Sequence, residues 1–312
     1  MNEQLHHRFS IAVSFGNILP GDYIRVLKKY KYYIHDVYFS PTESLRFQTR
    51  KHIYDFNATS NTDRRLMLQE VLSFAHDNGI KCCMTLNAPM ASVQEQVDLF
   101  ASYTLFTHID SVTTTLDVAK QIRQQGFDAP LTCSYNEAIT DISHLHRVLD
   151  HNIFSSIVIG GRFLRACEIF DLIKSRGVNT VLMLNTGCCF DCVSFCKSPN
   201  QDYCSNLFKK NLYRLGIDFM YAQQSVFPEE IQKYYLPLGT IDVFKLASRP
   251  ITAEELDRLL QSYCTFDSKS FVEESNMNYH LYGRLAHFMP FYGALNYHTI
   301  SDIKERIWAM NS

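Results

Sequence analysis

Short β-rich apolar runs alternate with amphipathic stretches along most of the chain, and this alternation constrains the fold more than any single motif. "FSIAVSF" is followed by an amphipathic stretch from Asp22 to Tyr30, "HDVYFS" by one from Asp63 to Asn78, and "IKCCMTLN" by "SVQEQVDLFASY". The pattern continues through "IDSVTT" and "LDVAKQIRQQG", "APLTCSYN" and "DISHLHRVLDH", "SSIVIGG" and "FLRACEIFDLIKSRG". It closes with "NTVLMLN", which runs into a cysteine-rich stretch, and with "TIDVFKLAS" followed by "TAEELDRLLQSYC". Eight strand-helix units of about 30 residues each predict an α/β fold, a TIM-like (β/α)8 barrel, with a doubly wound open sheet as the competing arrangement. Gly79, Gly126 and Gly177 stand where helices should end, as C-caps do. At 312 residues and 46% hydrophobic content the chain can fill such a core. The expected division is a barrel over residues 1–265 and a short C-terminal extension over 266–312. That extension is aromatic-rich, and it is expected to end in a helix from Ser301 to Met310 and to pack on the barrel.

Active sites of such barrels form at the C-terminal ends of the strands. Polar residues there are Asn17, Glu43, Arg46, Asn87, Asn136, Glu137, Arg162, the cysteine-rich stretch and Arg249. Arg249 and Arg162 can each grip a carboxylate or phosphate with paired hydrogen bonds, while Asn87 and Asn136 can orient carbonyl or hydroxyl groups. The expected ligand is therefore a small molecule that is anionic at one end. A formal net charge of −2 with 20% charged residues gives no general basic excess for nucleic acid, although a local patch stays open. "MNEQLHHRFSIAVSF" lacks a secretory pattern, and no apolar run reaches the ~18 residues of a membrane helix. The expectation is a cytoplasmic protein with no membrane segment, whose thiols stay reduced.

Five of the ten cysteines fall between Cys188 and Cys204, spaced C-C-x2-C-x3-C-x7-C. Interleaved with Asp191, Ser194, Lys197 and Asn200, they do not read as a core strand. Only Cys189 and Cys192 have the C-x2-C knuckle of a structural zinc site, so zinc is the alternative. An iron-sulfur cluster tolerates varied spacing among four converging thiolates and ranks first. Adjacent residues in extended chain point in opposed directions, so the expected ligands are Cys188, Cys192, Cys196 and Cys204, with Cys189 turned away. Cys82, Cys83, Cys133, Cys167 and Cys264 sit in strand or helix patterns and read as core. His6, His7, His35, His108, His144 and His146 are scattered and form no evident metal set, and no G-x-S-x-G elbow is present.

Two stretches together resemble the collagenase-like U-32 peptidase family, in particular its short members. One is "LNTGCCFDC", with Asn185, Gly187, Cys188 and Cys192, followed by Tyr203 and Cys204. The other is "VFPEEIQKYYLPLGTIDVFKLASR", whose Lys245 and Arg249 match a lysine-containing strand that ends in arginine. Weaker agreement runs from "DVYFSPTESLR" through "TLNAP" to "VIGGRFLRACE". The resemblance implies a TIM-like barrel and, as in several relatives, a 4Fe-4S cluster on four cysteines. Some relatives are linked to oxygen-independent hydroxylation of an RNA base or a quinone precursor, with prephenate as a proposed oxygen donor. This chain departs from that pattern in the extra Cys189, in Cys196 and in Ser248 before the arginine. The expectation is an iron-sulfur-dependent, hydroxylase-like enzyme acting on a small molecule or nucleobase, with Arg249, Lys245 and Arg162 catalytic. A cluster-bearing partner subunit or scaffold, and a peptidase or other hydrolase, are the alternatives.

Overall fold

The structure is a computed structural model that describes residues 7–13, 18–41, 61–89, 91–104, 108–184, 206–207, 210–211, 213–247, 252–267 and 297–311. Strands β1 (Phe9–Ala12), β2 (Ile34–Phe39), β3 (Lys81–Leu86), β4 (Ser111–Thr114), β5 (Leu131–Cys133), β6 (Ser156–Ile159), β7 (Asn179–Met183) and β8 (Val243–Leu246) pair in sequence order, all parallel. β8 pairs back onto β1 and closes the barrel. Helices α1 (Pro20–Tyr30), α2 (Asn61–Asp77), α3 (Val93–Thr104), α4 (Leu116–Gln124), α5 (Ile142–Asp150) and α6 (Cys167–Ser175) fill the connections between the first seven strands. The closed ring excludes the open-sheet alternative.

Side-chain alternation explains why these short strands form a barrel. Phe9, Ile11, Val37, Phe39, Met84, Val112, Ile157, Leu182 and Phe244 point outward into one continuous core beneath the helices. Each such side chain contributes about 1.5–3 kcal/mol by leaving water. The helices answer with stripes at helical spacing, such as Val118, Ala119 and Ile122 on α4 or Leu145, Val148 and Leu149 on α5. Their ends are chemically marked: the Asp141 carboxylate accepts from the His144 N–H at the start of α5, and Gly79, Gly126 and Gly177 take the positive φ that closes α2, α4 and α6. α6 begins four residues later than the pattern from Phe163 suggests. A 3-10 turn at Gly161–Phe163 precedes it, started by Gly161 at φ 60°.

The β7–β8 connection is more elaborate. It contains α7 (Ile217–Gln224) and then three consecutive helical segments, Pro228–Glu230, Ile231–Tyr235 and Leu236–Leu238, taken together as α8, with a π-helical middle. After β8 come α9 (Ala253–Thr265), which starts with a Thr252/Glu255 capping box, and α10 (Tyr297–Asn311). α10 packs on α7 and buries Ile300, Lys304, Ile307 and Trp308, a stripe of residues three to four apart. It extends the predicted Ser301–Met310 helix at both ends. Among the described residues no helix is long and apolar enough to cross a membrane.

Candidate active site

The inward-facing side chains divide the barrel interior into two halves. Val158, Val181, Met183 and Val243 form an apolar wall on β6, β7 and β8. On the other side Ser10, Asp36, Thr85 and Thr113 are buried polar residues from β1, β2, β3 and β4. Each of these polar groups is satisfied locally. Ser10 donates to Asp36 Oδ1 at 2.6 Å, Asp36 Oδ2 meets His35 Nδ1 at 2.7 Å, and the Thr113 hydroxyl lies 3.2 Å from Cys83 Sγ.

Lys245 stands at the seam between the halves. Its β8 position is in register with Ser10 on one side and Met183 on the other, and only 7% of the residue is exposed. The ammonium lies 3.8 Å from the centroid of the Tyr38 ring, and the Tyr38 hydroxyl donates to the Leu246 carbonyl. Tyr38 is two residues beyond Asp36 on β2, so the lysine stem runs toward the C-terminal mouth. Burying an ammonium costs several kcal/mol unless it is paired, and a face-on aromatic ring returns about 2. Among the described residues Lys245 Nζ has no hydrogen-bond acceptor and no carboxylate partner, so the seam holds a cation still lacking an anion.

At the mouth, Asn87 and Asn136 are brought together. Asn136 Nδ2 donates to the Asn87 carbonyl at 2.9 Å, Asn87 Nδ2 donates to Ser134 Oγ at 2.7 Å, and that same Oγ accepts from the Asn136 N–H. The two amides therefore brace the ends of β3 and β5, and their side-chain carbonyls carry what remains for a ligand. Glu137, by contrast, accepts from the Leu116 N–H at 2.7 Å and so holds the start of α4. Arg162 is exposed on the Gly161–Phe163 turn, with Nη1 3.4 Å from the Thr140 carbonyl. That contact links its guanidinium to the β5–α5 segment.

Gly161 has a specific reason to be glycine. Besides its φ of 60°, a Cβ there would lie 2.7 Å from the Tyr135 hydroxyl oxygen. Gly161→Ala is expected to lower stability by about 1–3 kcal/mol in chemical denaturation, combining left-handed backbone strain with the clash. Adding Tyr135→Phe should return the steric part when the double variant is compared with Tyr135→Phe alone, so that the hydroxyl's own contacts cancel. Full recovery in the double variant would show that the backbone conformation costs nothing.

Of the other predicted site residues, Cys188, Cys192, Cys196, Cys204 and Arg249 lie outside the described residues, as do Asn17, Glu43 and Arg46. The five remaining cysteines are free thiols. Cys82, Cys83 and Cys133 are buried, and Cys167 and Cys264 are partly so. Burial pushes the thiols of Cys82 and Cys264 up to about 12, which keeps them protonated and unreactive.

One buried constellation escaped sequence reasoning. Glu230 Oε1 accepts from Arg165 Nε at 3.1 Å, Arg165 Nη2 at 2.6 Å and Trp308 Nε1 at 3.0 Å. Glu230 Oε2 accepts from Lys304 Nζ and from the Phe227 N–H, both at 2.7 Å. Arg165 Nη2 also reaches the Ser225 carbonyl, as does Lys304 Nζ, while Arg165 Nη1 is buried with no hydrogen-bond partner among the described residues. The cluster joins the β6–α6 turn, α8 and α10. Its members are 65 to 78 residues apart around Glu230, so no local spacing reveals it.

No family model matches the chain, and no curated protein matches it. Solved structures do. A mandelate racemase/muconate lactonizing enzyme-like protein from Rubrobacter xylanophilus is similar at 9% identity over 57% of this chain and 50% of that one, with a TM-score of 0.39. The U32 peptidase Mk0906 is similar at 12% identity over 78% of this chain and 93% of that one, with a TM-score of 0.46. The strand order itself makes the chain a (β/α)8 barrel, and a U32 peptidase is among the structures that it resembles.

Proposed function

We propose that the chain is an enzyme that binds an anionic small molecule or nucleobase at the C-terminal mouth of the barrel. The modification is an oxygen-independent hydroxylation or related oxygen transfer supported by an iron-sulfur cluster. The observation that carries this reading is Lys245, a buried ammonium over the Tyr38 ring and near the Cys83 thiol, with no carboxylate partner among the described residues. A carboxylate or phosphate arriving through the mouth would complete its pairing with a charge-assisted hydrogen bond. The free carbonyls of Asn87 and Asn136 would take hydroxyl or amino groups of the same ligand. Ser40, Ser134 and Cys83 are hydrogen-bonded to Thr85, Asn87 and Thr113, an arrangement that orients them without activating any as a nucleophile.

The cofactor assignment rests on donor chemistry and chain order. Met183 is the register partner of Lys245, the Leu184 N–H donates to the Lys245 carbonyl at 2.9 Å, and the cysteine-rich stretch begins four residues later. Five thiols within seventeen residues suffice for the four thiolates of a 4Fe-4S cluster, with Cys188, Cys192, Cys196 and Cys204 as the proposed set. When bound, such a cluster supplies one-electron transfer. Lys245 and the asparagines would hold and orient the ligand.

Anaerobic purification of the full chain, followed by iron, sulfide and zinc analysis, tests the cofactor. About four irons per chain are expected, together with brown absorption near ~400 nm. Colourless protein with one stoichiometric zinc after reconstitution would sink the iron-sulfur reading. Lys245→Met tests the site separately: iron content should persist while affinity for prephenate, used as a dicarboxylate probe, falls by about tenfold or more. Equal affinity in the two proteins would reduce Lys245 to a structural residue and favour a scaffold.

A further inference from the structure

We infer that His76, His108 and Asp110 form a second metal site, for a divalent transition ion, at the N-terminal end of the barrel and independent of the proposed cysteine-bound cluster. His76 is in the last turn of α2, and His108 and Asp110 lie just before β4. One ligand atom from each falls within 4.8 Å of the other two, and among the described residues this is the one such group of three. Asp110 Oδ2 accepts from the Cys82 N–H at 2.7 Å at the start of β3, while Oδ1 meets His108 Nε2 at 2.8 Å. The imidazoles of His76 and His108 are in tilted contact, with centroids 3.7 Å apart and planes 35° from parallel.

This geometry has the parts of a metal site and a reason to accept an ion. The Cys82 N–H fixes the carboxylate from behind, the role that second-shell donors play for metal ligands. The two imidazoles and the carboxylate come from separate segments, the end of α2 and the chain entering β4, and their donor atoms converge on one point. Metal-ligand bonds of 2.0–2.1 Å in a tetrahedral arrangement place neighbouring donor atoms about 3.3 Å apart. The His108–Asp110 contact need open by only about 0.5 Å to admit the ion, with His108 bound through Nε2 as the tautomer that carries its proton on Nδ1. Two imidazoles and one carboxylate select zinc, cobalt, nickel or copper over calcium or magnesium, which favour all-oxygen shells. Both histidines are exposed and Asp110 partly so, leaving water to fill the remaining positions. An ion held there would clip the end of α2 to the chain entering β4.

Cobalt(II) titration of the full chain tests the site, because thiolate ligands give an intense charge-transfer absorption that imidazole and carboxylate do not. The wild-type chain should bind one cobalt without thiolate absorption, in addition to any ion taken by the cysteine segment. His76→Ala/His108→Ala should lose that one equivalent, keep any thiolate absorption, and melt like wild type without metal. Asp110→Asn, which preserves an acceptor for the Cys82 N–H, should weaken the same equivalent by about tenfold or more. Nickel(II) should raise the melting temperature of the wild type more than that of the double-histidine variant. Equal cobalt stoichiometry in wild type and double-histidine variant would overturn the proposal, as would a wild-type chain whose every bound cobalt shows thiolate absorption.

Discussion

Glu230→Ala is expected to destabilise the protein by about 3–5 kcal/mol, because it leaves the Arg165 guanidinium in a dry pocket without its carboxylate and removes the anion that helps Lys304 hold its proton. Burial alone would raise the Glu230 carboxyl, but the charges of Arg165 and Lys304, with hydrogen bonds from Lys304 and the Phe227 N–H, overcome it and hold it at about 2. The carboxylate thus stays ionised and binds together three segments distant in sequence. Without it, among the described residues Arg165 keeps its hydrogen bond to the Ser225 carbonyl, and Lys304 keeps the Ala222 and Ser225 carbonyls and the face of the Phe227 ring at 4.4 Å. Trp308 loses its Nε1 acceptor and holds by its rings, stacked on Tyr234 at 4.4 Å and edge-on to Tyr235 at 5.0 Å. Since Trp308 is the chain's single tryptophan, its fluorescence in a denaturant titration reads the clasp directly. Adding Lys304→Met to Glu230→Ala should recover part of the loss by replacing a buried amine that no carboxylate then pairs. A Glu230→Ala protein with an unchanged midpoint would show that α10 is held by Ile300, Ile307 and the Trp308 rings alone.

The barrel was legible because its signals are local. Each strand declares itself by apolar residues at every second position, and Gly79, Gly126 and Gly177 mark helix ends by a backbone conformation that disfavours other residues. α7 was not legible: Met220, Tyr221 and Ala222 are buried in succession between the barrel and α10, so no polar face sets a helical period. At the site, the strand-end rule picked out Asn87 and Asn136, which do meet, and also Glu137 and Arg162, which contact the Leu116 N–H and the Thr140 carbonyl. Lys245 was visible only through family resemblance, because "VFKL" alone says nothing of which residue faces inward. His76 and Asp110 are 34 positions apart, and Glu230 and Trp308 78 apart; such constellations exist only once the barrel has closed.

The same buried cluster makes Lys304 a source of pH dependence. Burial pushes its ammonium down to about 7 and the Arg165 charge pushes the same way, with Glu230 opposing both. Two cations and one anion leave an excess positive charge in the pocket, and releasing the Lys304 proton relieves it. In the unfolded chain the same lysine titrates near ~10.4. Below pH ~7 both states hold the proton, so the cost of burying it is constant. Between ~7 and ~10.4 the unfolded state binds the proton and the folded state has released it, so this group's contribution rises with pH, by at most about 1.4 kcal/mol per unit. The total need not follow, because buried thiols act in reverse. Cys82 and Cys264, pushed up to about 12 by burial, favour unfolding as the pH passes the ~8.5 of a free thiol. The informative quantity is therefore the stability of wild type minus that of Lys304→Met, in which the thiol contributions cancel. It should be flat below pH ~7 and climb in favour of wild type between pH ~7 and ~10. A difference that stays constant across that range would mean that Lys304 keeps its proton in the folded protein, with Glu230 sufficient to hold it charged.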